Sequence, residues 1–421
     1  MFKNKKKNIK KEEAIAESNV EANVETKLVL TAGAVHNLLD KIDKGYTPTD
    51  EEIAALKKVE SIRLYKIHKS IDLLANLKVL DLRNTRITDL RKINKLTNLQ
   101  ELNLRGTPIT NLSGIEKLTN LQELNLRDTK ITDLSGIKKL TNLQSLGLSS
   151  TQITDLSGIK NLTNLQVLNL MGTEITDISG IEYLTNLQEL DLSETWIDDL
   201  SGIENLAKLQ KLDLSGTPIA DLSGIEYLTN LRYLLLEGAN ISTLGGIDTL
   251  TNLRKLYLSE TQITDLSGIE NLTNLQALSL SFTPISNING IENLVNLQEL
   301  NLSQTQIDDL SDIENLTNLR WLSLSQTQID SNELEKLAKL KNLTHLDLMY
   351  LKLAKIPPRL LELNLPFDTT SVLQLNYDRR GIFLYGTELT QQPISLFEQD
   401  RSLIDEYYKM ALRSSENSPL A

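Results

Sequence analysis

The chain of 421 residues contains no cysteine. Disulfides, thiolate metal sites and cysteine nucleophiles are therefore excluded. Aromatic residues make up only 4% of the sequence against 40% hydrophobic residues, so the apolar content is aliphatic and has to be placed by pattern rather than by a few large rings. No stretch approaches the ~18–20 consecutive apolar residues that a membrane helix needs, and no membrane insertion is expected. Excess basic charge is missing as well. Lys and Arg number 44 against 56 Asp and Glu, a net charge of -12, and a negative field repels phosphates, so nucleic acid is not expected as a partner. Only the start, KNKKKNIKK, gathers lysines, and it reads as a solvated tail. It runs into EEAIAESNVEANVETK rather than an apolar segment; LVLTAGAV (Leu28 to Val35) is too short and late for a secretory signal. The expected location is cytoplasmic.

What the chain does have is a repeat. The motif LxxLxLxxTxI returns every 22 residues with its first Leu at Leu77, Leu99, Leu121, and so on without a gap to Leu319, giving twelve units. Counted from that Leu, apolar residues recur at positions one, four, six, eleven, fourteen, seventeen and twenty. Positions four and six alternate with polar three, five and seven, the period of a short strand with one buried face. The remainder, as in TDLSGIEKL, is too short for a long helix and carries a mid-turn Gly in most units, so it reads as a tight return with one helical or 3₁₀ turn. A lone coil cannot fold, and stacking makes a solenoid with a parallel sheet along one face. Residues at positions three, five and seven are expected to be exposed on that face.

Position nine is Thr in eleven of the twelve units, from Thr85 to Thr327, the exception being Ala239. A hydroxyl at the end of the strand can bond exposed backbone groups of the turn, and Asn76, Asn98, Asn120, Asn142, Asn164 and Asn186, each before a first Leu, are read as a second structural ladder. Asp89, Asp133, Asp155, Asp177 and Asp265 fall one per unit and read as a turn feature; calcium would need several on one point.

The unit LTNLQELNLRDTKITDLSGIKK resembles the leucine-rich repeat family, in the 22-residue version of bacterial internalin-type repeats. That resemblance implies an α/β leucine-rich-repeat solenoid with a concave parallel β-sheet that binds a protein partner. The family usually has Asn where this chain has the Thr column, which is a departure. Bacterial effectors that join such repeats to a ubiquitin-ligase domain need a cysteine, so that enzyme reading fails here.

The ends differ from the middle. Residues 1–26 read as a charged tail and 27–58 as a helical N-terminal cap, with Thr49 and Glu52 at capping-box spacing. The solenoid is expected over 59–367, including a shortened first coil, VESIRLYKI. Residues 368–421 read as a degenerate last coil, GIFLYGTEL, and a closing helix with Ser395 as its N-cap. The stretch QPISLFEQDR…IDEYY resembles the junction between repeats and GTPase in bacterial Roco-type proteins. It implies a rival reading, a sensor module whose GTPase domain lies outside these residues.

No catalytic chemistry is readable. The three histidines, His36, His68 and His345, are far apart in sequence, so no paired-His metal site is read; there is no GxxxxGK[ST] loop, and no cofactor is expected. Two surface features stand out. Arg83, Arg105 and Arg127 stack at position seven of consecutive units and are expected to be answered by Glu101 and Glu123, or else to form a docking strip for an acidic partner. In LRYLLLEGAN, Tyr233 and Leu235 replace the usual polar residues at positions three and five, and Tyr257 follows at position five of the next unit. Trp321 and His345 occupy position three further along, with Met349 and Tyr350 close by. Aromatic anchors in a polar surround are the substance of interface hot spots.

Overall fold

The computed structural model describes residues 31–353, 356–368 and 380–387. The molecule divides into two compact units, Met1–Leu187 and Gln188–Ala421. The expected C-terminal helix lies outside the described residues.

The first unit opens with two helices, α1 (Ala32–Asp43) and α2 (Asp50–Leu56). The second starts on a complete capping box: Thr49 Oγ1 accepts the Glu52 N–H, and the Glu52 carboxylate accepts the Thr49 N–H. Six strands follow, β1 (Ser61–Arg63), β2 (Val79–Asp81), β3 (Glu101–Asn103), β4 (Glu123–Asn125), β5 (Ser145–Gly147) and β6 (Val167–Asn169), all parallel and paired in sequence order. The register advances one repeat per strand, as in Leu102 against Leu124. Positions four and six are sealed: Leu102 is 2% exposed and Leu104 fully buried.

The helices are tied to the first coil by polar side chains. Asp43 accepts the backbone N–H groups of Lys69 and Ser70, and Asn76 donates to the carbonyl of Lys57. His36 of α1 and His68 of the coil meet with Nδ1 and Nε2 2.9 Å apart. The expectation that the histidines stand apart is thus corrected. Sequence distance hid a contact that packing the helix on the coil creates.

The second unit holds β7 (Glu189–Asp191), β8 (Lys211–Asp213), β9 (Tyr233–Leu235), β10 (Lys255–Tyr257), β11 (Ala277–Ser279), β12 (Glu299–Asn301), β13 (Trp321–Ser323), β14 (His345–Asp347), β15 (Phe367–Asp368) and β16 (Gly381–Phe383). Pairing follows sequence order up to β14; then β16 pairs β14, and β15 lies outside it. GIFLYGT (Gly381 to Thr387) therefore supplies the next strand and turn, with Thr387 Oγ1 donating to the Leu384 carbonyl. The return paths are 3₁₀ turns such as Ile203–Asn205 and Ile225–Tyr227, and these two are entered through a left-handed glycine, φ 99° at Gly202 and 96° at Gly224.

Both ladders form. The Thr hydroxyl at position nine donates to the carbonyl of the Leu three residues earlier, 2.6 Å at Thr107 and 2.7 Å at Thr261. Each ladder Asn reaches the preceding coil, as Asn98 does the Ala75 carbonyl and Asn252 that of Thr229. The recurrent Asp accepts the N–H two residues on, as Asp133 does from Ser135, which makes it a turn device.

One expectation needs correction. Residues at positions three, five and seven are mostly half-buried, and Asp81, Ser149, Ser279 and Ser323 are buried. Strands about 4.8 Å apart crowd neighbouring side chains against one another, and small residues sink beneath large ones.

Candidate partner-binding face

The strands of the second unit set the geometry of its open face. Registered pairing puts Tyr257 directly beside Leu235 and Trp321 directly beside His345. Tyr233 sits one column over, flanked across the ladder by Lys211 and Lys255. Tyr233, Leu235, Tyr257, Trp321 and His345 are all half-buried, so each offers one flank to solvent and is held by its neighbours on the other.

Between Tyr257 and Trp321 the side chains shrink. Ala277 and Ser279 are 3% and 8% exposed, and the next strand brings Glu299 and Asn301. The result is a recess of about 490 Å³ whose walls include Tyr257, Trp321, Glu299 and His345 over a floor of Ala277 and Ser279. A hydroxyl network stiffens the floor: Ser259 Oγ lies 2.7 Å from Ser279 Oγ and 3.0 Å from Ser281 Oγ. His345 is held by Thr344 Oγ1 at 2.9 Å from Nδ1 and by Phe383, whose ring stacks on it at 6.3 Å.

The same face is acidic. Asp191 and Asp213 stand opposite each other on β7 and β8. Burial, with the neighbouring Asp191 carboxylate adding to it, pushes the Asp213 carboxyl up to about 6. Burial alone pushes Asp347 up to about 6, against the opposing hydrogen bonds from the Met349 N–H and Ser323 Oγ.

Two of the remaining site residues part company with the cluster. Met349 is 6% exposed; position seven turns into the crowded strand end, so it has no surface to offer and is packing. Tyr350 is 42% exposed, but its ring meets Tyr385 edge-on at 5.6 Å rather than joining the recess.

On the first unit, the arginine column is answered within the chain. Arg83 Nε lies 3.0 Å from an Asp81 oxygen, and the Nε atoms of Arg105 and Arg127 lie 3.4 and 3.5 Å from Asp128. Asp128, in the turn, was not foreseen as the answering group.

Sequence reasoning missed two things here. Trp196 is 68% exposed and Phe282 41% exposed. Trp196 could have been noticed because position ten is otherwise filled by residues such as Pro108, Lys130, Gln152 and Asn240. Phe282 stands at φ 60°, at position eight, where the described coils from Asn84 to Gly386 have a left-handed residue. The run of Asn84, Gly106, Asp128, Gly172, Gly216 and Gly238 at that position was the available signal.

Comparisons with known proteins agree with this geometry. The family model described as a leucine-rich repeat region matches residues 59–196 and 217–352, and one for two copies of leucine-rich repeats matches 185–227. No curated protein matches the sequence. Among solved structures, a leucine-rich repeat protein of Leptospira interrogans is 28% identical with a TM-score of 0.72, covering 86% of this chain and 98% of that one. The internalin inlF of Listeria monocytogenes is 29% identical with a TM-score of 0.63, covering 79% and 92%. The functional domain of InlJ from the same organism, which includes a cysteine ladder, is 25% identical with a TM-score of 0.60, covering 78% and 67%. Nothing in these matches supports the Roco junction. With a repeat model matched over most of the chain and the regular coils sharing one strand register, the protein belongs to the leucine-rich repeat family, in its internalin-like form.

Proposed function

We propose that this chain is a non-catalytic protein-interaction scaffold whose second unit receives a protein partner on the concave face of the repeats. The observation that carries the reading is the recess between Tyr257 and Trp321. Large half-buried aromatic walls over a small-residue floor suit the insertion of one partner side chain, and preordered walls reduce the entropy lost on binding. Tyr233 and Leu235, both on β9, extend the apolar strip by one strand. The acidic column beside it, Asp191 and Asp213, favours a partner carrying positive charge where it docks. Leucine-rich repeat arrays generally serve as protein-binding modules, which agrees with the reading, while the arginine column of the first unit, already matched by Asp81 and Asp128, is the weaker candidate.

The test places a photoreactive residue at position 321 or, as a control on the 3₁₀ side of the coil, at 271. Adducts from 321 that are absent from 271, and that vanish in Tyr257→Ser and Tyr233→Ser proteins of unchanged thermal stability, are the expected result. Equal capture from both positions, or capture indifferent to those substitutions, would rule out this face.

A further inference from the structure

Helix α1 and the first coil bring together a group of side chains that the partner-binding reading does not use. His36 and Asp40 are four residues apart on α1 and so share one face. His68 comes from the coil beyond β1. His68 is fully buried and His36 is 6% exposed. The two rings touch through one nitrogen each, and the other two, His36 Nε2 and His68 Nδ1, have no hydrogen-bond partner.

Both of those nitrogens face the Asp40 carboxylate. His36 Nε2 is 3.8 Å from Oδ2 and His68 Nδ1 is 3.5 Å from Oδ1. These separations are too long for good hydrogen bonds. The 3.5 Å separation falls on the edge of a tetrahedron around a zinc ion with bonds of about 2.0–2.2 Å, roughly 3.3–3.6 Å, and the 3.8 Å separation lies just beyond it. The carboxylate is also paired with the Lys66 ammonium, whose side chain is 47% exposed and free to swing into solvent. Asp43, 3.4 Å from His68 Nδ1, is committed to the backbone of Lys69 and Ser70 and serves as an outer carboxylate.

We propose that His36 Nε2, His68 Nδ1 and the Asp40 carboxylate form a zinc site that fastens α1 to the first coil, with the fourth position open to water. Two imidazoles and one carboxylate suit zinc rather than the oxygen-seeking calcium or magnesium. Binding exchanges two existing interactions for three coordination bonds. The Lys66 ammonium leaves Asp40, and the rings turn slightly to open the 2.9 Å contact between His36 and His68, because their inner nitrogens then both carry hydrogen. Each imidazole stays neutral, one of them changing tautomer, so no proton is released.

Calorimetric titration of ZnCl₂ into the full chain, free of any histidine tag and stripped with chelator, tests the site in the presence of excess magnesium. One zinc per chain is expected, with a higher melting temperature for the first unit. Asp40→Asn is nearly isosteric and should weaken zinc at least about tenfold. Lys66→Met removes the competing cation at an exposed position and should tighten zinc several-fold, the opposite of what loss of a merely structural ion pair would do. Circular dichroism matching the wild type establishes that both variants are folded. Absence of saturable one-to-one binding, or zinc affinity unchanged in Asp40→Asn, overturns the site; affinity unchanged or weakened in Lys66→Met overturns the exchange with the ammonium.

Discussion

Ala239 is the single break in the threonine column of the regular units, and the structure shows what the break costs. Its N–H still donates to the Leu236 carbonyl at 3.0 Å, as Thr107 N does to Leu104, but the hydroxyl that would donate to the same oxygen is gone. The site is buried, at 2% exposure, and the coils on either side hold Thr217 and Thr261 in the same setting. Ala239→Thr should therefore restore one net hydrogen bond and stabilise the second unit by about 0.5–1.5 kcal/mol, read as a rise in the denaturant midpoint at constant m-value. The ladder itself was legible from a column of hydroxyls at a strand end. Its acceptor, the Leu three residues back, was not, because composition does not say which carbonyl a turn leaves open.

At the scale of the element, strand and return are defined as much by the left-handed residue after the strand as by the leucines. Position eight must turn the chain out of the sheet while its N–H still reaches the next coil, as Asp128 N does to the Ser149 carbonyl at 3.0 Å. Glycine takes this conformation without strain, and Asn and Asp at little cost. Phe282 takes it at φ 60° with 41% of its surface exposed, so the coil gains little burial in return. Phe282→Gly is expected to leave the second unit unchanged or more stable by up to about 1 kcal/mol, where the same deletion at an ordinary buried Phe would cost roughly 3–5 kcal/mol. Thermal melts of the variant decide it, and a clear loss of stability would mean that the ring packs more than its exposure suggests. Strain of this kind gathers where function maintains it, so the same variant belongs in the crosslinking experiment. The strands were readable from alternation and the returns from their length, whereas the recess was not: its floor depends on Ala277 and Ser279 falling in register between Tyr257 and Trp321, a relation across three coils.

At the scale of the whole molecule, net charge of -12 acts through particular carboxylates. Asp213 and Asp347 are raised from an ordinary 3.8 to about 6. In the unfolded chain both ionise near their ordinary value, so between about pH 4 and 6 the folded state binds more protons than the unfolded one, and stability falls as pH rises through that window. Above it the loss is complete, on the order of 1–3 kcal/mol for each group. The turn carboxylates Asp133, Asp155, Asp199 and Asp265 are lowered by their serine partners and work in the opposite sense, but only below their ordinary value. The Asp213→Asn, Asp347→Asn double variant keeps a side-chain oxygen to accept the backbone N–H groups of Ser215 and Met349 and should be more stable than the wild type at pH 7.5, with the difference shrinking toward pH 4.5 in urea titrations. A constant difference across that range would place the origin elsewhere. The repeat could be read from the sequence because one pattern is copied along it. The cap chemistry could not, since His36 and His68 meet only once α1 is laid on the coil.

The uniform hydrogen-bond comb has one more consequence. Each regular coil offers the next the same backbone donors, the same backbone acceptors and the same leucine face, so nothing along the backbone comb numbers the coils. Within either unit, the exchange of genetic material in blocks of 22 residues would be invisible to the backbone, while a shift of a single residue would turn every leucine of the affected coil to the wrong side. Length is therefore a trait that can change by recombination without relearning how to fold, and individuality is left to the few side chains, such as Tyr257 and Trp321, that the comb does not use.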